Sequence, residues 1–262
     1  MKTGFIGMGN MGSALAEAAI KTGAVLKGDT YGYAPHQDKL KERAERIGFI
    51  PCSDPIKMVK ECDNVMISCK PAQIPGVLNG EMKKALKGKH LISIAAGWFF
   101  DDYRKILGDD TRIQCINPNM AVKARCGIIL IEEKGSFTEH EYEVLLRVLN
   151  SFSRTVVLPA ELMDAGCAIA GCGPAYAAMF IEALADAGLK YGLKRDDAYT
   201  LAAAMLKGTG ALCLDEGMLP AVLKDAVCSP GGTTIRGLSA LEKTGFRGSV
   251  ISAIDAVVKG EG

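Results

Sequence analysis

The chain has 262 residues, 48% of them hydrophobic and 23% charged, enough to build a real core in one or two domains. Its 31 basic residues against 30 acidic ones leave a formal charge of +1, so no global field gathers nucleic acid or an anionic membrane surface. Nine cysteines without a Cys-x-x-Cys pair, and three histidines (His36, His90, His140) away from ligand spacing, exclude an obvious metal centre and read as reduced thiols of a cytoplasmic protein.

The first apolar run, Gly4-Phe5-Ile6, is too short for a secretory leader. Strand-like runs at residues 4–6, 30–33, 64–68, 91–95 and 127–131 alternate with helical stretches at 11–21, 37–47, 54–61, 75–86 and 99–106. Alternation of this kind predicts a parallel sheet covered by helices on both faces. Residues 113–116 read as a further strand and 139–149 as another helix, before 155–158 closes the sheet. Past Pro159, helical spacing takes over at 175–189, 195–214, 220–227 and 248–258, with no strand-like run left. The uncharged stretch 165–181 is rich in Gly, Ala and Cys and is broken by Pro174, so it reads as a packed segment and not as a membrane span. A division follows: an α/β domain over 1–159 and an all-helical domain over 160–262, small enough to bury its apolar faces against a second copy of itself.

Gly7-Met8-Gly9-Asn10-Met11-Gly12 stands directly after the first strand and opens the first helix, the context that makes G-x-G-x-x-G a dinucleotide-binding loop of the Rossmann type. The first glycine permits the turn, the second admits a pyrophosphate, and the third lets helix and strand pack; the helix amides face the anion. The second strand ends in Tyr33-Ala34-Pro35-His36-Gln37-Asp38-Lys39, with no carboxylate to hold a ribose diol and no arginine. That absence favours NADPH over NADH, with His36, Gln37 and Lys39 near the 2′-phosphate; a solvated His36 at the helix start is the equal alternative.

Three further segments join the glycine loop: Ser68-Cys69-Lys70-Pro71 with Ser93-Ile94-Ala95-Ala96-Gly97; Gly171-Cys172-Gly173-Pro174-Ala175-Tyr176; and Leu223 through Ser229-Pro230-Gly231-Gly232-Thr233-Thr234-Ile235. In order and spacing, along essentially the whole chain, they resemble the pyrroline-5-carboxylate reductase family, whose signature is the Ser-Pro-Gly-Gly-Thr-Thr segment. The resemblance implies a Rossmann domain followed by an all-α dimerisation domain, a homodimer or a higher ring of dimers, and hydride transfer from NADPH to a small cyclic imine, with no nucleic-acid or membrane partner. It also implies that Lys70-Pro71, Cys69, Ala95, Ala96, Gly97 and Asn119 serve the cofactor beside Gly7–Gly12 and His36. Thr234 would then hydrogen-bond the imine nitrogen. Locally, backbone amides at Gly231, Gly232 and Thr233 can form a nest for the substrate carboxylate with Ser229 beside them. Helix capping by Ser229, Thr233 or Thr234 is the competing reading of those hydroxyls.

Departures from the family pattern are Asn117-Pro118-Asn119-Met120-Ala121 for Met-Pro-Asn-Thr-Pro, Cys115 for an arginine, Ala170 and Cys172 for serines, Ala204-Met205 for Gln-Thr, and Asp54 for an asparagine. A β-hydroxyacid dehydrogenase would need a lysine where Ala177 stands and an asparagine where Ile181 stands. The other readings are a reductase of a different small imine and a silent nucleotide-binding scaffold.

Overall fold

The computed structural model describes residues 1–260 and divides into two compact units, one from Met1 to Pro174 and one from Ala175 onward. The first is built on an eight-stranded sheet in the order β3-β2-β1-β4-β5-β6-β7-β8. The strands are β1 (Thr3–Ile6), β2 (Thr30–Tyr33), β3 (Ile50–Cys52), β4 (Asn64–Ile67), β5 (His90–Ser93), β6 (Arg112–Pro118), β7 (Gly127–Gly135) and β8 (Ser153–Leu158). The order reverses at β1, which pairs in parallel with both β2 and β4. Such a switch point leaves a crevice at the carboxyl ends of the two strands.

Eight helices accompany the sheet: α1 (Asn10–Lys21), α2 (Gln37–Ile47), α3 (Pro55–Glu61), α4 (Ile74–Val77), α5 (Gly80–Ala85), α6 (Phe100–Leu107), α7 (Glu139–Asn150) and α8 (Met163–Ala170). Successive strand residues point to opposite faces, so Phe5 and Met66 enter one core with α1, α2 and α7, while Ile6, Val65 and Ile67 enter another with α3, α5 and α6.

The sheet is not wholly parallel, as the alternation had suggested: β7 runs antiparallel to β6, and β8 follows β7 in parallel. The link between β6 and β7, residues 119–126, holds only a 3₁₀ turn and is shorter than the dozen or so residues a parallel crossover needs. The expected helix over 75–86 is two, because Asn79 caps α5 by accepting from the Glu81 and Met82 amides. Asp54 likewise precedes α3 as its cap, accepting from the Ile56 and Lys57 amides, with Pro55 at the first helical position. The short edge strand β3, which contains Pro51, and helix α8 carry too few periodic residues to stand out in the sequence.

The break at Pro159 marks the end of the sheet, whereas the first compact unit continues to Pro174 because α8 packs back on β7: a Cβ on Gly166 would lie 2.9 Å from Leu130. The second unit holds all but the first two residues of α9 (Gly173–Lys190), and α10 (Arg195–Leu214), α11 (Pro220–Ala226), α12 (Thr233–Lys243) and α13 (Phe246–Lys259). Its helices bury little more than Ala185, Ala198 and Ala202, and leave Met179, Leu201, Val222 and Ile251 more than half exposed. The run Ala160–Lys190 is long and apolar enough to cross a membrane by length and composition, and a turn interrupts it at residues 171–172.

Candidate active site

The glycine loop sits at the β1/β4 switch point. Gly7 adopts φ +107°, and a Cβ there would lie 2.5 Å from the Cys69 amide nitrogen, so the turn and the end of β4 exclude any side chain. Gly12, in the first turn of α1, would place a Cβ 2.6 Å from the Gly7 carbonyl. Between them, a Cβ on Gly9 would meet no protein atom within 4 Å. Two of the three glycines are therefore demanded by the fold and the third only by something outside it. Ser68 locks the loop, its hydroxyl donating to the Gly7 carbonyl at 2.8 Å. The Gly7 and Met8 amides donate to Tyr33 O and the Gly9 amide to Gly7 O, which leaves Asn10, Met11 and Gly12 as the open amides of a helix N-terminus.

His36 is exposed at the N-cap of α2 and makes no side-chain capping bond, whereas the Gln37 amide is spent on the Ala34 and Cys52 carbonyls. The 33–39 stretch contains no arginine, but α2 brings one from further along. Arg43 donates to the Met8 carbonyl, and with Lys39, Arg46 and Lys123 it lines a polar cleft beside Asn10. The signal was the i, i+4 spacing of Lys39 and Arg43 on one face of α2.

Lys70 is exposed and leads into the 3₁₀ turn Pro71–Gln73, which Gln73 closes by accepting from the Lys70 amide; Cys69 is half-buried and its thiol pushed up by burial. Ala95 is buried, Ala96 and Gly97 are exposed, and Gly97 takes φ +73° at the end of β5. Below this turn the Ser93 and Tyr103 hydroxyls share a 2.5 Å hydrogen bond. A register shift in β6 between Gln114 and Ile116 brackets Cys115, which lies beside Glu132 of β7. Glu132 is 1% exposed and accepts from the Phe100 amide, the first of α6, at 2.8 Å. Burial pushes both the Glu132 carboxyl and the Cys115 thiol upward. The sequence reading missed Glu132, since a glutamate in an apolar strand gives no sign of its partner.

Asn119 is almost wholly engaged within the protein: Oδ1 accepts from the Ala121 and Ile128 amides, and Nδ2 donates to the Ala170 carbonyl. Next to it, Asn117 donates to Cys167 Sγ at 3.3 Å.

In the second unit, Ser229-Pro230-Gly231-Gly232 leads into α12. Gly231 takes φ +68°, and a Cβ on Gly232 would fall 2.3 Å from Ser229 Oγ. The Gly232 amide is bound to Ser229 O at 3.0 Å, which corrects the expected nest: the open amides there include those of Gly231, Thr233 and Thr234. Gly232, not a hydroxyl, is the N-cap, and it makes no side-chain capping bond. Among the described residues, the hydroxyls of Ser229, Thr233 and Thr234 have no hydrogen-bond partner, so the capping reading does not describe them.

Comparison with known proteins covers both units. Residues 160–261 match the family model for pyrroline-5-carboxylate reductase dimerisation, and residues 2–97 match that for coenzyme F420-dependent NADP oxidoreductase. A pyrroline-5-carboxylate reductase of Treponema pallidum is 40% identical, over 98% of this chain and 99% of its own. One from Escherichia coli is 34% identical over 97% and 94%. Among solved structures, Plasmodium falciparum pyrroline carboxylate reductase with NADP bound superposes with a TM-score of 0.88 at 30% identity, covering 99% of this chain and 96% of that one.

Proposed function

The chain belongs to the pyrroline-5-carboxylate reductase family, and we propose from that premise which of its residues carry the reaction. It is an oxidoreductase that reduces L-1-pyrroline-5-carboxylate to L-proline with NADPH, the last step of proline biosynthesis. The open space at Gly9 and the free amides of Asn10, Met11 and Gly12 fit a pyrophosphate. His36 and Arg43 lie toward the 2′-phosphate, and Cys69, Lys70, Pro71 and Ala95–Gly97 border the nicotinamide half. Asn119 acts there mainly by holding β6, β7 and α8 together. Bound NADPH supplies the hydride; NADH is the weaker donor.

The observation that carries the substrate assignment is the loop before α12, where three amides and three hydroxyls stand without protein partners at a helix N-terminus. The Gly231, Thr233 and Thr234 amides, aided by the helix dipole, bind the carboxylate, with Ser229 beside them. The Thr234 hydroxyl bonds the ring nitrogen and orients the imine. A cyclic imine takes its proton from water before reduction, so the loop needs to position the substrate and not to supply a strong acid.

The chain forms a homodimer, as its dimerisation segment and the uncovered apolar helices require. We place the change of role at 159/160, with the cofactor held by 1–159 and substrate and partner by 160–262. We further propose that the helical face, including Ala160–Lys190, is covered by the second copy and not by lipid, that rings of dimers are accessible, and that the protein works in the cytoplasm, where its nine free thiols stay reduced.

The test is NADPH consumption with L-1-pyrroline-5-carboxylate, in wild type and Thr234→Ala, repeated with NADH. The variant should bind NADPH normally and lose about tenfold or more in kcat/KM. Wild-type turnover by Thr234→Ala would refute the assignment of that hydroxyl.

A further inference from the structure

An apolar cavity of the first unit lies at the amino ends of β1, β4 and β5, away from the glycine loop at the carboxyl end of β1. It occupies about 320 Å³ between α1 and α7, walled by Phe5, Leu15, Ala19, Leu145, Leu149 and Phe152. These six are at most 6% exposed, while Met1 and Leu26 at its mouth are more than half exposed. The ends of the two helices are joined by a pair of hydroxyls, Thr22 Oγ1 and Ser151 Oγ at 3.0 Å. The volume is roughly twice the ~150 Å³ of an apolar protein cavity that stays dry and takes up one benzene.

The polar rim decides the charge of an occupant. His90 bonds Asn64 through Nδ1 and Glu141 through Nε2, and Arg112 holds the other Glu141 oxygen at 2.6 Å. His90 and Arg112 are thus already paired, and Asp29 at the rim lies 3.9 Å from the amino terminus. An anionic ligand would meet the Glu141 and Asp29 carboxylates, and among the described lining residues only the exposed His140 imidazole stands outside these pairs. A neutral ligand with an N–H or O–H donor finds carboxylate and amide oxygens at the edge and hydrocarbon within.

One wall of the cavity belongs to the helix that carries the glycine loop. Leu15 and Ala19 face the cavity, while the first turn of the same helix presents the Asn10, Met11 and Gly12 amides. We propose that this cavity is a second small-molecule site, for a neutral aromatic compound of about two fused rings with one hydrogen-bond donor, and that its occupancy alters nucleotide affinity by moving α1. The coupling rests on the reading of Gly7–Gly12 as the nucleotide loop; the site itself does not.

Indole is the probe. Calorimetric titration and thermal unfolding of the full chain should show saturable binding and a raised melting temperature. Indole-3-acetate should bind at least about tenfold more weakly. Ala19→Phe, which fills the cavity from α1, should abolish the calorimetric signal; Val144→Phe, from the half-buried rim on α7, repeats the test if the first variant does not fold. NADPH affinity, followed by nicotinamide fluorescence without substrate, should change about threefold or more when indole is saturating.

Absence of saturable indole binding overturns the proposal, as does binding that both filling variants retain. Equal binding of indole and indole-3-acetate overturns the neutral class, and unchanged NADPH affinity at saturating indole overturns the coupling. If the protein bound no NADPH at all, the glycine-loop reading would fail, while the calorimetry would still decide the cavity.

Discussion

Alanine at Gly9 and at Gly12 separates a glycine that a ligand needs from one that the fold needs. At Gly12 the new methyl would sit 2.6 Å from the Gly7 carbonyl and 2.7 Å from Ser68 Oγ. The hydroxyl can rotate, but the carbonyl yields only if the loop moves. Overpacking of this kind costs about 1–3 kcal/mol, and alanine's better helix propensity returns at most about 1. Gly12→Ala should therefore lose about 1–2 kcal/mol of stability. At Gly9 the backbone is extended, with φ −77° and ψ −160°, which alanine adopts freely, and no protein atom stands within 4 Å of its Cβ. The poorer N-cap residue and the stiffer unfolded chain act in opposite directions, each by under about 1 kcal/mol, so stability should stay near wild type. The methyl does occupy the approach to the open amides, and NADPH affinity should fall about tenfold or more, which is about 1.4 kcal/mol or more of binding. Urea unfolding reads the first quantity and nicotinamide fluorescence titration the second. Gly9→Ala that binds NADPH as wild type does, or that is as unstable as Gly12→Ala, would refute the division of roles.

Removing the buried acceptor with Glu132→Ala should leave the Phe100 amide unsatisfied, cost about 1–3 kcal/mol in urea unfolding and raise the KM for NADPH; Glu132→Gln, which keeps an acceptor oxygen, should recover most of both. Glu141 makes a pH prediction. Burial alone would raise its carboxyl, but bonds from the Thr138 amide and hydroxyl, His90 and Arg112 outweigh it and hold the pKa at about 2, against 4.5 ordinarily. A depressed carboxylate contributes stability that is present above about pH 4.5 and lost as the pH falls toward 2. Discounted for solvent screening, the loss should be about 2 kcal/mol, and wild type and Glu141→Gln should converge in stability across that window. Gly231→Ala should cost about 1–2 kcal/mol, because φ is +68°, and should lower kcat/KM for the imine while leaving NADPH affinity unchanged.

What could be read in the sequence, and what could not, divides along one physical line. The glycine loop, the Ser-Pro-Gly-Gly-Thr-Thr turn and most helices were legible because each is set by residues a few positions apart: a positive φ at Gly7 or Gly231, or an apolar stripe at helical spacing. The reversal of β7 was not, since an apolar run reads the same in either direction and only the shortness of residues 119–126 forbids a crossover. Glu132 was hidden because its partner, Phe100, lies 32 residues away, and Arg43 gave only its spacing from Lys39, since Met8 lies 35 residues away. In the nest, the local reading of consecutive amides after Pro230 counted one that the turn itself consumes, Gly232 N–H, because a bond back to Ser229 O depends on how the turn closes.

The helical unit shows the same limit at the level of assembly. Its periodicity says that α9, α10, α11 and α13 each have an apolar face, and the structure shows those faces uncovered at Met179, Leu201, Val222 and Ile251. Alanines and glycines allow close approach, yet only Ala185, Ala198 and Ala202 are buried along α9 and α10. Side chains of this size stabilise by roughly 1.5–3 kcal/mol each only once covered, so this unit's folding free energy resides largely in the dimer. Dilution should accordingly lower the melting temperature of the helical unit together with the loss of dimer. A melting temperature independent of concentration while the dimer dissociates would show that these faces do not depend on the partner.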